Sequence, residues 1–170
     1  MSIGLLILRL VVGLTVAAHG AQKLFGWFGG FGLAGTGQFL EKLGFRPGRV
    51  QAAQAGIAEC GGGVLLTAGF LTPAAAAAVV AVMLVASVSV HIKSGFFAQN
   101  GGYEYTLVLG VAALALAFTG PGALSLDQAF GISRSGETWG LATLAAGLIG
   151  GAVPLLTRRI APTATARDAA

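Results

Sequence analysis

The chain has 170 residues, of which 55% are hydrophobic and only 9% are charged, and its formal net charge at pH 7 is +4. Because a soluble domain carries about 25% charged residues, this composition excludes an ordinary soluble protein and predicts one that lies in a lipid bilayer. Cys60 is the single cysteine, which excludes an intrachain disulfide and a Cys-x-x-Cys redox pair. The basic residues flank apolar segments, so we expect no nucleic-acid partner, and the sequence has no Cys/His cluster that predicts a metal site.

Five apolar segments of 17 to 23 residues follow one another along the chain, and each is close to the ~20 residues that cross a hydrocarbon core. We therefore predict an all-α fold: a polytopic transmembrane helical bundle with a four-helix core and a fifth, C-terminal transmembrane helix. The four-helix bundle occupies residues 1–130, the additional helix residues 131–157, and a basic, disordered cytoplasmic tail residues 158–170. The five segments are 3–25, 50–71, 73–92, 103–119 and 139–156.

The connection after the first segment has an aromatic and glycine-rich part followed by an amphipathic part. Phe25, Trp27, Phe28 and Phe31 alternate with glycines, a pattern typical of an anchor at the lipid interface. Residues 38–45 then place apolar and charged side chains on opposite sides, which predicts a short helix lying on the membrane surface. The alternative is that this helix forms a lid over polar residues in the bundle.

The distribution of basic residues predicts the orientation in the membrane. We call the side of the N-terminus side A and the opposite side side B. If all five segments cross, side A carries only Arg134, whereas eight basic residues fall on side B, which makes side B cytoplasmic by the positive-inside rule. We expect a multi-pass protein of the plasma (inner) membrane with its N-terminus outside. If the fifth segment does not cross, the count becomes five against four. The eight are Lys23, Lys42, Arg46, Arg49, Lys93, Arg158, Arg159 and Arg167.

Glu59 is the most informative residue, because it lies inside an apolar run and about 13 Å along its predicted helix. A carboxylate at that depth is costly unless it is paired, protonated or exposed to water. His19 and Lys23 share one helix face, and Arg9 lies within about 40° of the same face. The topology brings the remaining candidates to the side-B half of the bundle, with Arg9 nearer side A. The predicted buried polar site contains Arg9, His19, Gln22, Lys23, Glu59, His91 and Glu104.

Each of these residues also has an ordinary structural interpretation. Lys23 and Arg9 can extend to the lipid headgroups, and Glu104 suits the first turn of a helix. Glu59 has two interpretations, a structural ion pair or a functional site. Together, histidines, carboxylates and basic groups in an apolar setting can relay protons or hydrogen-bond the carbonyl oxygens of a quinone. Because nothing in the chain stores electrons, we do not expect it to catalyse redox chemistry alone; a subunit of a quinone-linked oxidoreductase stays open.

Several linked stretches of the chain resemble the DoxX family of small membrane proteins. They include Arg9, the run HGAQKLFGWFGG from His19 to Gly30, Glu59 with its glycines, and NGGYEY from Asn100 to Tyr105, within residues 3–130. The resemblance implies a four-helix bundle, to which the fifth helix is an addition. The family takes its name from a subunit of a thiosulfate:quinone oxidoreductase, and other members are linked to complexes that handle thiols and superoxide. The resemblance thus implies a membrane subunit in redox or oxidative-stress chemistry, with oxidoreductase partner proteins.

Three functions follow as hypotheses. The first is a membrane subunit that anchors or assists an oxidoreductase complex, with a quinone or proton site near Glu59. The second is a non-catalytic scaffold in which the polar residues only hold the bundle together. The third is a proton-coupled transporter or channel for a small solute. Gly147 and Gly151 permit close helix packing, either within the chain or in a homo-oligomer, and the sequence does not separate the two.

Overall fold

The computed structural model of the chain describes residues 2–159. Within these residues every regular element is helical and there is no strand, so the predicted all-α class is confirmed. The predicted tail lies mostly in residues 160–170, and Arg167 with it, outside the described residues. The α-helices of the described part are α1 (Ser2–Phe25), α2 (Gly32–Lys42), α3 (Gly48–Ala68), α4 (Thr72–Ala86), α5 (Glu104–Thr119), α6 (Leu126–Ala129) and α7 (Glu137–Thr157).

Helices α1 and α3 run antiparallel and form the closest helix pair. They can approach so closely because glycines leave no side chains between them. A Cβ on Gly13 would meet the backbone of Gly63, and a Cβ on Gly20 would meet the backbone of Cys60 and Gly56. Small residues let two helix backbones approach in this way. The pairing fixes the rotation of both helices and directs Glu59 of α3 towards α1.

Helices α1, α3, α4 and α5 contact one another in a ring, which is the predicted four-helix core. The centre of the ring is apolar, and the side chains of Val16, Leu66, Val79 and Leu116 there are fully buried. Helix α4 remains α-helical to Ala86 and continues as a π-helical segment, Ser87–His91, and a 3-10 turn, Ile92–Ser94. The predicted third segment is therefore one continuous helical rod whose last part changes its winding.

Helix α7 packs on the outside of the ring against α4 and α5. Gly140 lies against Phe118 at the side-A end of α5, while Gly147 and Gly151 lie against α4. The helix therefore extends along the bundle parallel to α4, as the predicted fifth crossing requires. Both Gly147 and Gly151 are buried, so within the described residues these glycines serve packing inside the chain.

Three helical rods of the described part are long and apolar enough to cross a membrane: α1, the continuous stretch Thr72–Ser94, and α7. Helix α5 is apolar and 16 residues long. Helix α3 has 21 residues but contains Gln51, Gln54 and Glu59 and is not among the three, so its crossing stays a prediction. Large apolar side chains point outwards from α1 and α7, for example Ile7 at 56% and Ile149 at 65% exposure, as expected of a surface covered by lipid.

The connections differ in detail from the sequence-based expectations. The amphipathic helix predicted at residues 38–45 is observed as α2, which begins earlier and runs from Gly32 to Lys42. Gly37 lets it pack closely on the start of α3, because a Cβ there would lie 3.0 Å from the backbone of Arg49. Before it, Trp27–Gly29 forms a 3-10 turn whose neighbour Phe31 is 82% exposed. The loop between α5 and α7 contains the short helix α6, which the sequence analysis did not predict.

Candidate functional site

Lys23 and Glu59 form a buried ion pair at the side-B half of the bundle, where Lys23 Nζ donates to Glu59 Oε2. Glu59 is 3% exposed, and the Lys23 side chain is 28% exposed. Gly56 lies one turn before Glu59 on α3, and a Cβ there would collide with the side chain of Leu24 and would lie 3.4 Å from Lys23 Cβ. The absence of a side chain at Gly56 therefore lets the end of α1 pack closely on α3, and the ion pair neutralises the charge of Lys23 and Glu59.

His19 lies one turn before Lys23 on α1 and pairs with a residue of α5. His19 Nε2 and Tyr105 Oη share a hydrogen bond of 3.1 Å, and the two rings meet edge to face with their centroids 5.7 Å apart. Tyr105 was not selected from the sequence, although it follows Glu104 in the NGGYEY stretch, because a tyrosine near a helix end has an ordinary role at the lipid interface.

A cavity of about 660 Å³ opens beside the ion pair, between α2, α3, α4 and α7. We call it the Glu59 cavity. Its polar lining consists of Lys23, Thr36, Gln51, Gln54, Glu59, Ser89, His91 and Thr157. The rest of the lining is mostly apolar and includes Phe39, Phe45, Val82, Val85 and Val153. Helix α2 thus forms one wall of the cavity through Phe39 and its neighbours.

The π-helical segment of α4 contributes two polar groups to the Glu59 cavity. His91 Nδ1 lies 2.7 Å from the carbonyl oxygen of Gly101; since a carbonyl only accepts, Nδ1 must carry the proton, which leaves Nε2 of a neutral ring as an acceptor. Ser89 Oγ is buried and has no hydrogen-bond partner among the described residues. By contrast, Ser87 Oγ shares a hydrogen bond of 2.6 Å with Thr106 Oγ1. Segments of π-helix are frequent at functional sites.

Gln22 and Glu104 hold loops and do not line the Glu59 cavity. Gln22 Nε2 donates to the carbonyl oxygen of Phe28 over 3.1 Å, which fixes the aromatic turn after α1. Glu104 Oε2 accepts from the backbone N–H of Ala98 over 2.8 Å and closes the loop before α5. The structure therefore brings Lys23, Glu59 and His91 together at the cavity and places His19 beside the ion pair.

Arg9 lies at the other end of the bundle, apart from Glu59. It is 1% exposed, and its Nη2 donates to the carbonyl oxygen of Leu124 in the loop after α5. Its Nε and Nη1 have no hydrogen-bond partner within residues 2–159. The shared helix face placed Arg9 with His19 and Lys23, but the rise of about 1.5 Å per residue separates Arg9 from Lys23 by about 21 Å along α1.

Asp127, which also lies at this end, is a buried carboxylate that the sequence analysis did not select. It is 1% exposed and accepts hydrogen bonds from the N–H of Leu71 at 2.7 Å and from the N–H of Thr72 at 2.9 Å. The Thr72 hydroxyl adds a third at 2.7 Å. Asp127 therefore caps the N-terminus of α4 and joins it to α6.

Within residues 2–159, no group of three His, Cys, Asp or Glu residues is placed to hold a metal ion. Cys60 is a free cysteine, and its backbone packs against Gly20, in keeping with a small packing residue at the contact of α1 with α3.

The DoxX family profile matches residues 4–92, more than half of the chain. The comparisons with curated proteins and with solved structures gave no match. The matched part spans α1 to α4 and contains Lys23, Glu59, Ser89 and His91; α5, α6 and α7 lie beyond it. Together with the apolar helices of the fold, the match confirms the resemblance over residues 4–92 and leaves its extension to residue 130 untested, and the chain belongs to the DoxX family of membrane proteins.

Proposed function

We propose that this chain is an integral membrane subunit that anchors or assists a membrane-associated oxidoreductase complex, and that the Glu59 cavity binds a quinone or moves protons for it. The observation that supports this proposal is a single cavity that combines a buried ion pair, an unpartnered hydroxyl and a histidine acceptor with apolar walls. Ligand sites are typically apolar with a few convergent polar groups.

The charge of the cavity favours a neutral ligand. Lys23 and Glu59 neutralise each other, so neither is free to pair with a charged substrate. The volume of about 660 Å³ falls in the range of about 300–1,000 Å³ that is usual for small-molecule sites. A quinone head with part of its apolar tail meets both conditions.

The polar lining matches both redox forms of a quinone. The carbonyl oxygens of the oxidised form accept hydrogen bonds, and the buried hydroxyl of Ser89 can donate one once its side chain rotates into the cavity. The hydroxyl groups of the reduced form donate hydrogen bonds, and Nε2 of His91 can accept one, because Nδ1 is engaged by Gly101. His91 can therefore take up a proton that quinol oxidation releases. Electrons have to come from or go to a partner protein, which is why we propose a subunit.

We further propose that side B faces the cytoplasm, in the plasma (inner) membrane, with the N-terminus outside. The basic residues Lys42, Arg46, Arg49, Arg158 and Arg159 all lie at the end of the bundle where α1 and α7 terminate. An excess of lysine and arginine marks the cytoplasmic side. Soluble oxidoreductase partners would then dock at this end, next to α2 and the Glu59 cavity.

A scaffold is the second candidate, and the ion pair itself supports it. Lys23 and Glu59 connect α1 with α3, so the pair also serves to hold the bundle. A pure scaffold would need no ligand in the cavity, and substitutions of Ser89 or His91 would leave partner binding unchanged.

Binding of decylubiquinone to the full chain in mild detergent tests the proposal. Ser89→Ala and His91→Asn each remove one cavity hydrogen bond, and each should weaken binding about tenfold. Ser87→Ala is the matched control, because it removes a hydroxyl that bonds Thr106. Absence of binding by the parent chain, or equal loss in all three variants, contradicts the quinone site. Co-purification from native membranes with mass spectrometry tests the complex separately, and a homo-oligomer without oxidoreductases would refute a stable complex.

A further inference from the structure

A second, polar depression lies at the side-B end of the bundle, where the loop between α2 and α3 meets the end of α7. Its volume is about 640 Å³, and it is lined by Glu41, Gly44, Arg46, Pro47, Thr157 and Arg159. We call it the Arg46–Arg159 groove. From its geometry we infer that it binds the headgroup of an anionic phospholipid. This inference does not depend on the proposed function.

The position of Arg159 in the groove is fixed by its backbone. Its N–H donates to the carbonyl oxygen of Gly44 over 2.8 Å, which ties the end of α7 to the loop that carries Arg46. The preceding residue, Arg158, lies over the ring of Phe45 at 6.0 Å. Arg158 is therefore engaged with an aromatic face, whereas Arg46 and Arg159 line the groove from opposite elements.

The charge of the groove favours an anion. Two guanidinium groups line it, and Glu41 is the one carboxylate among its lining residues. Glu41 Oε1 already accepts a hydrogen bond of 3.0 Å from the N–H of Gly48, so part of its capacity is used inside the chain. Guanidinium groups bind phosphate through paired hydrogen bonds, which suits the phosphate of a lipid headgroup.

The groove lies at the depth of the lipid headgroups. Helix α7 has 21 residues and is thus about 31 Å long, close to the ~30 Å of the hydrocarbon core. Thr157, its last residue, lines the groove, and Leu156 before it is 84% exposed. A phospholipid with its phosphate in the groove would place its acyl chains along this exposed apolar surface of α7. A soluble anion would gain nothing from that surface, so we commit to a lipid.

Native mass spectrometry of the full chain in mild detergent, with equal concentrations of palmitoyl-oleoyl phosphatidylglycerol and phosphatidylcholine, tests the inference. The parent chain should retain phosphatidylglycerol preferentially. Because each basic residue contributes roughly fivefold to the binding of an anionic lipid, the double variant Arg46→Gln/Arg159→Gln should lose about thirtyfold in phosphatidylglycerol affinity and keep its phosphatidylcholine binding.

Lys42→Gln/Arg49→Gln is the matched control, because it removes the same charge at the same end outside the groove. It should lower the affinity less than threefold, roughly as expected for screened surface charges. Equal losses of phosphatidylglycerol affinity in both double variants would mean that the lipid is held by diffuse charge attraction, which would contradict a specific site in the groove. If about 10 mM inorganic phosphate displaced the lipid, the groove would be a site for a free anion and the lipid proposal would be wrong, since charge screening alone is weak at that ionic strength. All four substituted side chains are exposed, and unchanged melting temperatures would confirm that folding is intact.

Discussion

Substitution of Lys23 should lower the free energy of unfolding more than substitution of Glu59, its partner in the ion pair. Lys23→Met leaves Glu59, which is 3% exposed, as an uncompensated buried carboxylate, and breaking a buried pair in this way costs about 3–5 kcal/mol. Glu59→Gln leaves Lys23, whose side chain is 28% exposed and can extend towards the headgroups, so the cost should be about 1–2 kcal/mol. The double variant should cost no more than Glu59→Gln alone, so the coupling energy between the two residues should be at least as large as the cost of Lys23→Met, about 3–5 kcal/mol.

Reversible unfolding in mixed micelles of dodecyl maltoside and sodium dodecyl sulfate, followed by circular dichroism, measures these free energies. Lys93→Met serves as the control, because Lys93 is an exposed lysine at the same end of the bundle, and we expect a change within about 0.5 kcal/mol. Equal costs for the two single variants, with additivity in the double variant, would refute the reasoning: they would mean that Glu59 is solvated and that the pair contributes little.

Three further predictions use the same unfolding assay. Gly20→Ala should destabilise the bundle by more than about 2 kcal/mol, because its Cβ would meet the backbone of α3, whereas Gly4→Ala should not, since nothing lies within 4 Å of that position; equal effects would contradict the close contact. Asp127→Asn should cost about 2–3 kcal/mol through the charged cap of α4, and a neutral result would show that the cap is dispensable. Tyr105→Phe removes the hydrogen bond to His19 at a residue that is 41% exposed, so we expect at most about 1 kcal/mol; a larger loss would give this bond a structural role that the geometry does not support.

The fold class could be predicted from the sequence because the thickness of the bilayer sets the length of a crossing helix, and the apolar segments have about that length. The change of winding at Ser87–His91 and the short helix α6 could not be predicted, because they depend on contacts between distant segments. Asp127, for example, bonds the backbone of Leu71 and Thr72 across 56 and 55 residues of sequence. No local pattern encodes such a contact.

The candidate site could be predicted from the sequence at positions where a polar side chain in an apolar segment needs a partner. Glu59 lies in an apolar run, so it had to find a partner, and Lys23 was among the candidates. Arg9 was included in the predicted site because it shares a helix face with His19 and Lys23, although its position along the helix already placed it nearer side A, and the structure shows it at that end of the bundle. Tyr105 was missed for a different reason: a tyrosine near a helix end can keep its hydroxyl in contact with water, and therefore nothing in the sequence requires it to have a partner.

The walls of the Glu59 cavity divide between the part of the chain that matches the family and the part beyond it. The ionisable groups of the cavity, Lys23, Glu59 and His91, lie within residues 4–92, as does Ser89. Helix α7 lies beyond the match and contributes Gly150, Val153, Pro154 and Thr157, none of which is ionisable. Since α7 packs on α4 from outside the ring, it closes this side of the cavity. The ionisable groups of the cavity therefore come from α1, α3 and the rod that begins with α4, whereas α7 adds part of the wall that sets the shape of the cavity.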